Sequence, residues 1–125
     1  MNFPSELKYT KDHEWLRIEG SVGTIGVTDY AQGELGDVIY LDLKDGVTVK
    51  AHESVGTIEA VKTVSDLYSP VSGKVTVVNS SLNDTPETVN KDPYGEGWLV
   101  KIELSDLAEA NALLGVEEYK KLIGQ

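Results

Sequence analysis

The chain has 125 residues, 40% apolar and 26% charged, and its 21 acidic against 11 basic side chains give a formal net charge of −10. That length suits one domain with a real core, and so negative a surface repels phosphate backbones, which sets nucleic acid aside as a partner. There is no cysteine, hence no disulfide and no thiolate metal site, and no stretch reaches the length of a membrane span.

The opening residues Met1 to Glu6 carry neither a basic start nor an apolar run, and they are not rich in arginine. No secretory or organelle leader is expected on those grounds, so the cytoplasm of a bacterium is the default, and a mature mitochondrial form would read the same way. The acidic excess suits docking onto enzymes whose entrances are basic, where charge mainly speeds encounter, and equally suits simply keeping a small domain in solution.

In chain order, residues 3–12 read as a polar lead-in. Trp15 to Ile18 begins a strand, with Leu16 and Ile18 on one face, and Glu19-Gly20 turns the chain into a second strand over Val22 to Val27. Thr28 can cap a short helical turn through Gln32, because its hydroxyl can accept from an exposed backbone N–H; Gly33 and Gly36 then end it. Ile39, Leu41 and Leu43 share one face of the next strand, with Val38, Tyr40 and Asp42 opposite. Asp45-Gly46 reads as a hairpin turn leading into Val47 to Val49, and Ser72-Gly73 as another sharp turn.

Val75 to Val78 is strand-like, Asn79 to Pro86 a loop, and residues 87–97 an irregular segment rich in Asn, Pro and Gly. A last strand places Trp98, Val100, Ile102 and Leu104 on one side. Ser105 can cap a helix bearing Leu107, Ala110 and Leu113 or Leu114; Gly115 breaks it, and Glu117 to Ile123 form a second, acid-first and lysine-last as the helix dipole prefers. The core is expected over about residues 14–104, with 105–125 as a helical appendage. A faint repeat at a shift of 28 residues, in which Val47, Thr48, Val49, Thr57, Glu59 and Val61 echo Val75, Thr76, Val77, Thr85, Glu87 and Val89, suggests two similar sheet halves.

The stretch Glu53 to Val77 presents Lys62 between two apolar, strand-like runs, which places it near the tip of a hairpin. A lysine there is most simply a solvated charge. A Schiff-base or nucleophilic lysine needs a neutral amine, and the near neighbours Glu59 and Asp66 favour the ammonium instead, so that chemistry is rejected. The remaining reading is a swinging arm, in which a cofactor acylates the amine and the hairpin holds it at a fixed address. No metal site is indicated, since His13 and His52 are isolated, and no phosphate-binding glycine loop opens a long helix.

Four blocks decide between these readings. Glu59-Ala60-Val61-Lys62-Thr63-Val64-Ser65-Asp66 with Ser69-Pro70-Val71-Ser72-Gly73 resembles the lipoyl-attachment hairpin of the H proteins of the glycine cleavage system. Tyr9-Thr10-Lys11-Asp12-His13-Glu14-Trp15, Gly26-Val27-Thr28-Asp29-Tyr30-Ala31-Gln32 and Asn90-Lys91-Asp92-Pro93-Tyr94-Gly95-Glu96-Gly97-Trp98 resemble that family in the same order along the chain. Biotin carriers share the general hairpin but typically flank the lysine with methionines, whereas Val61 and Thr63 stand here.

The resemblance implies a mainly β chain, a lipoyl/biotinyl-type flattened β-barrel or sandwich of two sheets with short C-terminal helices. It implies lipoic acid in amide linkage to Lys62, recognition of the hairpin by a lipoylating enzyme through Glu59, and a cleft for the arm lined by Asp12, Glu14 and Asp66. The protein would then be a carrier and not an enzyme. Its arm would take an aminomethyl group from glycine decarboxylase, present it to the aminomethyltransferase, and be reoxidised by dihydrolipoyl dehydrogenase. A monomer is expected. Two other readings stay open: a relay protein that passes lipoyl groups to other enzymes, and an interaction module whose Lys62 is unmodified.

Overall fold

A computed structural model describes residues 1–125 and arranges nine strands in two antiparallel sheets. The larger sheet has the order β1 (Lys8–Tyr9), β2 (Glu14–Glu19), β3 (Val22–Val27), β9 (Val100–Leu104), β8 (Gly73–Val78), β5 (Thr48–Val49). The smaller has β4 (Val38–Leu43), β6 (Ser54–Ala60) and β7 (Val64–Tyr68). Two short helices, α1 (Asp29–Leu35) and α2 (Thr88–Lys91), lie in connections between strands, and a third, α3 (Val116–Leu122), follows the last strand. The mainly-β expectation holds in its sandwich form; the two sheets do not close into a barrel. No helix is long and apolar enough to cross a membrane.

The period-two pattern explains the main core. Along β9, Val100, Ile102 and Leu104 turn inward while Lys101 and Glu103 alternate with them on the other side. Leu16, Ile25, Leu41, Ile58, Leu67 and Val75 meet them from both sheets. Burying each of these side chains contributes about 1.5–3 kcal/mol. Thr28 caps α1 as its hydroxyl suggested, accepting from the Ala31 N–H at 3.1 Å. The helix runs on through Gly33 to Leu35, and only Gly36, at φ +78°, ends it.

The lead-in is not merely polar. Leu7 and Tyr9 are buried, and β1 pairs with β2 in the register Lys8↔Leu16, Tyr9↔Trp15. Tyr9 also exchanges backbone hydrogen bonds with Leu114, and Leu7, Tyr9, Trp15 and Tyr119 form a second, smaller core. The core therefore extends at both ends beyond residues 14–104, and the C-terminal residues pack as part of it. The segment after Ser105 is a 3₁₀ helix, Leu107–Ala112, capped by Asp106, whose carboxylate accepts from the Ala108 N–H. Its Leu107 faces solvent and its Ala110 is buried.

Four further expectations are corrected. In β4 the register shifts between Val38 and Tyr40, so Val38 is buried and Ile39 exposed, the reverse of simple alternation. Asp45-Gly46 is a turn, with Gly46 at φ +76°, but it carries the chain from the smaller sheet to the larger and closes no hairpin. Gly73 opens β8 instead of forming a turn: a Cβ there would run into the Glu103 carbonyl, so glycine is required by the close approach of β9. The 28-residue echo also fails past β5 and β8, since Thr57 and Glu59 lie in β6 while Thr85, Glu87 and Val89 lie around α2.

Candidate functional site

The hairpin of β6 and β7 is in the register Thr57↔Asp66, Ile58↔Ser65, Glu59↔Val64, which leaves Val61–Thr63 as its turn. Lys62 is the middle residue of that turn and is exposed. The turn is held twice: the Ala60 N–H donates to the Thr63 carbonyl at 2.8 Å, and the Val61 N–H donates to the Asp37 carbonyl at 3.0 Å. The second bond ties the tip to the segment entering β4, so the lysine stands on a fixed base. Val61 and Val64, on either side of the tip, are exposed, at 66% and 62%.

Beside the hairpin lies a cleft of about 260 Å³, bounded by β7, by the turn before β2 and by α1. Its lining begins at Thr63, the residue after the lysine, and continues through Leu67. Asp12, Glu14 and Asp66 all border it, together with His13 and Glu34. The structure thus brings three of the four expected acids together. Glu59 stands apart: it is exposed, and its cross-strand neighbours are Tyr40 and Val64 on the outer face of the small sheet. A second cavity, of about 270 Å³ between Tyr9, His52 and Leu113, has no carboxylate in its wall, so only the first combines a lysine root with acidic chemistry.

Glu14 is 3% exposed, which is unusual for a carboxylate. Its Oε1 accepts from the Thr10 hydroxyl at 2.7 Å and its Oε2 from the Tyr68 N–H at 3.3 Å. Thr10 is itself held in place, since its Oγ1 accepts from the N–H groups of Asp12 and Glu14. Burial raises the Glu14 pKa to about 7, against those two hydrogen bonds, which lower it; the Asp12 charge adds to the rise. The cleft therefore holds a carboxyl able to give or take a proton near neutrality. Asp66, by contrast, is exposed, and its Oδ2 accepts from the Tyr68 hydroxyl at 3.4 Å.

Sequence spacing does not single out His13 as a cleft residue. As the neighbour of Glu14 on an extended strand it would face the other way, but β2 starts only at Glu14 and His13 sits in the preceding turn at φ +70°. That left-handed conformation lets both residues border one cleft. Nothing in the bare pattern Asp12-His13-Glu14 announces it.

Fold and site define a small antiparallel β-sandwich that presents one lysine at the tip of a pinned hairpin, next to a cleft with a buried carboxyl. The sequence pattern of the family described as glycine cleavage H-protein matches residues 7–125. The glycine cleavage system H protein of Bacteroides thetaiotaomicron is 51% identical over 124 residues, covering 98% of each chain. That of Chlorobium limicola is 53% identical over 128 residues, covering all of both. The crystal structure of a glycine cleavage system H protein from Mycobacterium marinum superposes with a TM-score of 0.89 at 39% identity, covering 98% of this chain and 100% of that one. The chain belongs to the glycine cleavage H-protein family.

Proposed function

We propose that this chain is the lipoyl carrier of a glycine cleavage system, one domain from residue 1 to 125, with the lipoyl group in amide linkage on Lys62. The observation that carries the proposal is the position of Lys62, exposed in a turn that is fixed on two sides and followed at once by the wall of an acidic cleft. The residues present fit such a group. The amine is free for acylation, and stem plus cofactor reaches on the order of 14 Å at ordinary bond lengths. The absence of cysteine keeps the chain from forming mixed disulfides with its own arm.

When bound on Lys62, the lipoyl group would supply a disulfide for carrying an aminomethyl group between glycine decarboxylase and the aminomethyltransferase, with dihydrolipoyl dehydrogenase as the enzyme that would reoxidise the dithiol. The chain's own work is address, reach and protection. The hairpin fixes the arm's root, and tethering gives a high effective concentration at each enzyme in turn. Asp12, Glu14 and Asp66 offer acceptors to an amine-bearing adduct, with Glu14, out of water, as the group able to hold or release a proton. Glu59, on the outside of the hairpin, is placed where a lipoylating enzyme can read it without entering the cleft. The chain itself is a carrier component and not an enzyme, and its place is the bacterial cytoplasm.

Intact mass with peptide mapping tests this. Protein made in a lipoylating host is heavier by one lipoyl group, located on Lys62; an increment on another lysine, or none, overturns the assignment. A lipoyl relay protein would share the increment but would fail to stimulate glycine decarboxylation when mixed with glycine decarboxylase.

A further inference from the structure

We propose that His13 is a neutral hydrogen-bond donor to the arm in the cleft, and that Tyr119, reaching in from the C-terminal helix, is the positioning residue that sets its tautomer. The first half rests on the reading of Lys62 as the arm's root; the second stands on the geometry of the unmodified chain.

Tyr119 is fully buried, and its hydroxyl lies 2.8 Å from His13 Nδ1 and 2.8 Å from Thr28 Oγ1. A phenol has one proton to give, so the order of donors along this chain of three groups is set by chemistry. Burial lowers the His13 pKa, so the ring is neutral at pH 7 with one of its nitrogens an acceptor. Of the two acceptors facing Tyr119, an imidazole nitrogen is more basic than an alkyl hydroxyl, and a phenol is a better donor than threonine. The favoured order therefore runs from the Thr28 hydroxyl to the Tyr119 oxygen and from the Tyr119 hydroxyl to His13 Nδ1. Thr28 keeps its other role, accepting from the Ala31 N–H at the start of α1.

With Nδ1 occupied as an acceptor, the single ring proton of His13 must reside on Nε2. The ring cannot easily turn away. His13 donates its backbone N–H to the Thr10 carbonyl at 3.1 Å and accepts from the Thr28 N–H at 3.0 Å, and Tyr30 packs against the imidazole with ring centroids 4.9 Å apart. The cleft wall also carries the carboxyl groups of Asp12, Glu14, Glu34 and Asp66 and the hydroxyls of Thr63 and Ser65. The carboxylates suit a cationic amine, whereas a neutral acceptor of the arm needs an N–H or O–H donor. An Nε2–H at this wall supplies one, for the amide carbonyl or for sulfur.

Tyr119 lies 106 residues from His13 in sequence, so the fixed tautomer is work done by the C-terminal helix. Tyr119 is well placed to hold still: its ring stacks on Tyr9 at 4.8 Å and 11°, and Phe3 meets it edge-on at 5.7 Å. Removing the hydroxyl alone leaves that packing in place.

The test is nitrogen NMR of the His13 ring in three forms of the full chain: unmodified, octanoylated on Lys62 and lipoylated on Lys62. In the unmodified protein Nδ1 is expected at the unprotonated imidazole position and Nε2 at the protonated one. In Tyr119→Phe that single tautomer is lost to a mixture. Finding Nδ1 protonated in the wild type, or an unchanged tautomer in Tyr119→Phe, overturns the positioning role; the wild-type measurement needs no variant to fold. Acylation is expected to shift Nε2: a shift with both arms points to the carbonyl, and a shift with lipoyl alone points to sulfur. No shift with either arm overturns the donor role. Failure of Lys62 to accept a lipoyl group would show in the mass, separately from any of these signals.

Discussion

The Glu14 carboxyl and the backbone N–H of Tyr68 meet at 3.3 Å, 54 residues apart in sequence, and so tie a strand of the larger sheet to the lysine hairpin of the smaller one. The tie is made by a group whose charge is costly where it sits, which gives it a signature in the pH dependence of stability.

Burial raises the Glu14 pKa from 4.5 to about 7. Between those values the folded chain keeps a proton that the unfolded chain has lost, so stability should fall as pH rises through that window and level off above it. The full span is on the order of 3–4 kcal/mol at about 1.4 kcal/mol per unit. Urea midpoints taken between pH 4.5 and 7.5 should show this slope in the wild type and lose it in Glu14→Gln. An equal slope in both would mean that Glu14 is not its source.

His13 should act with the opposite sign. Burial lowers its pKa below 6.5, against Asp12 and Glu34, whose charges raise it; Tyr30 and Tyr119 face the ring as neutral groups. Below 6.5 the unfolded chain takes up a proton that the folded chain refuses, so this residue removes stability as pH falls. Direct NMR titration of the His13 ring should give a midpoint under 6.5, and a midpoint above it would contradict the burial seen here.

Lys62→Ala should abolish the lipoyl mass increment and leave stability within about 0.5 kcal/mol of the wild type, since an exposed turn side chain contributes little packing. Intact mass and a thermal melt on the same sample suffice. A mutant that unfolds would show that the side chain supports the hairpin, contrary to its exposure.

Two glycines should respond in opposite directions to alanine. At Gly73 the added methyl meets backbone of β9, which cannot yield, so Gly73→Ala should cost about 2 kcal/mol or more. At Gly33, inside α1, nothing lies within 4 Å of the added atom, and Gly33→Ala should gain roughly 0.5–1 kcal/mol from helix propensity. Chemical denaturation of the pair decides it, and a neutral Gly73→Ala would mean that β8 and β9 sit less tightly than described.

Much of this architecture was open to reading in advance, wherever one local rule acts alone. Val100, Ile102 and Leu104 alternate cleanly because β9 has a core on one side; Thr28 caps because its hydroxyl needs only the next turn; Lys62 falls in a turn because strand-like runs flank it. What escaped depends on distant partners. Two residues of β1 are too few to show a period, and Tyr9 is buried through its pairing with Trp15 and Leu114. The bulge in β4 reverses Val38 and Ile39 against a pattern that favoured the other order. Of the cleft, the acids could be listed by family resemblance, but not that Glu14 is sealed from water, which depends on packing against the distant Tyr68, or that His13 shares its wall, which follows from a left-handed residue in a turn.

The small sheet ends at β7, so one side of that strand has no neighbour of its own kind. Tyr68 gives its N–H to Glu14 on that side while Ser69 gives its own to Glu53 on the other, and alternation then points the Val64 and Asp66 amides outward as well. Such a margin is a template for edge-to-edge zipping of two copies. An antiparallel zip centred on Asp66 would bring its carboxylate against its own twin, a like-charge clash with no lysine of β7 to relieve it. A carboxylate on this margin works against such a zip, and the same acid lies at the mouth of the cleft that begins beside Lys62.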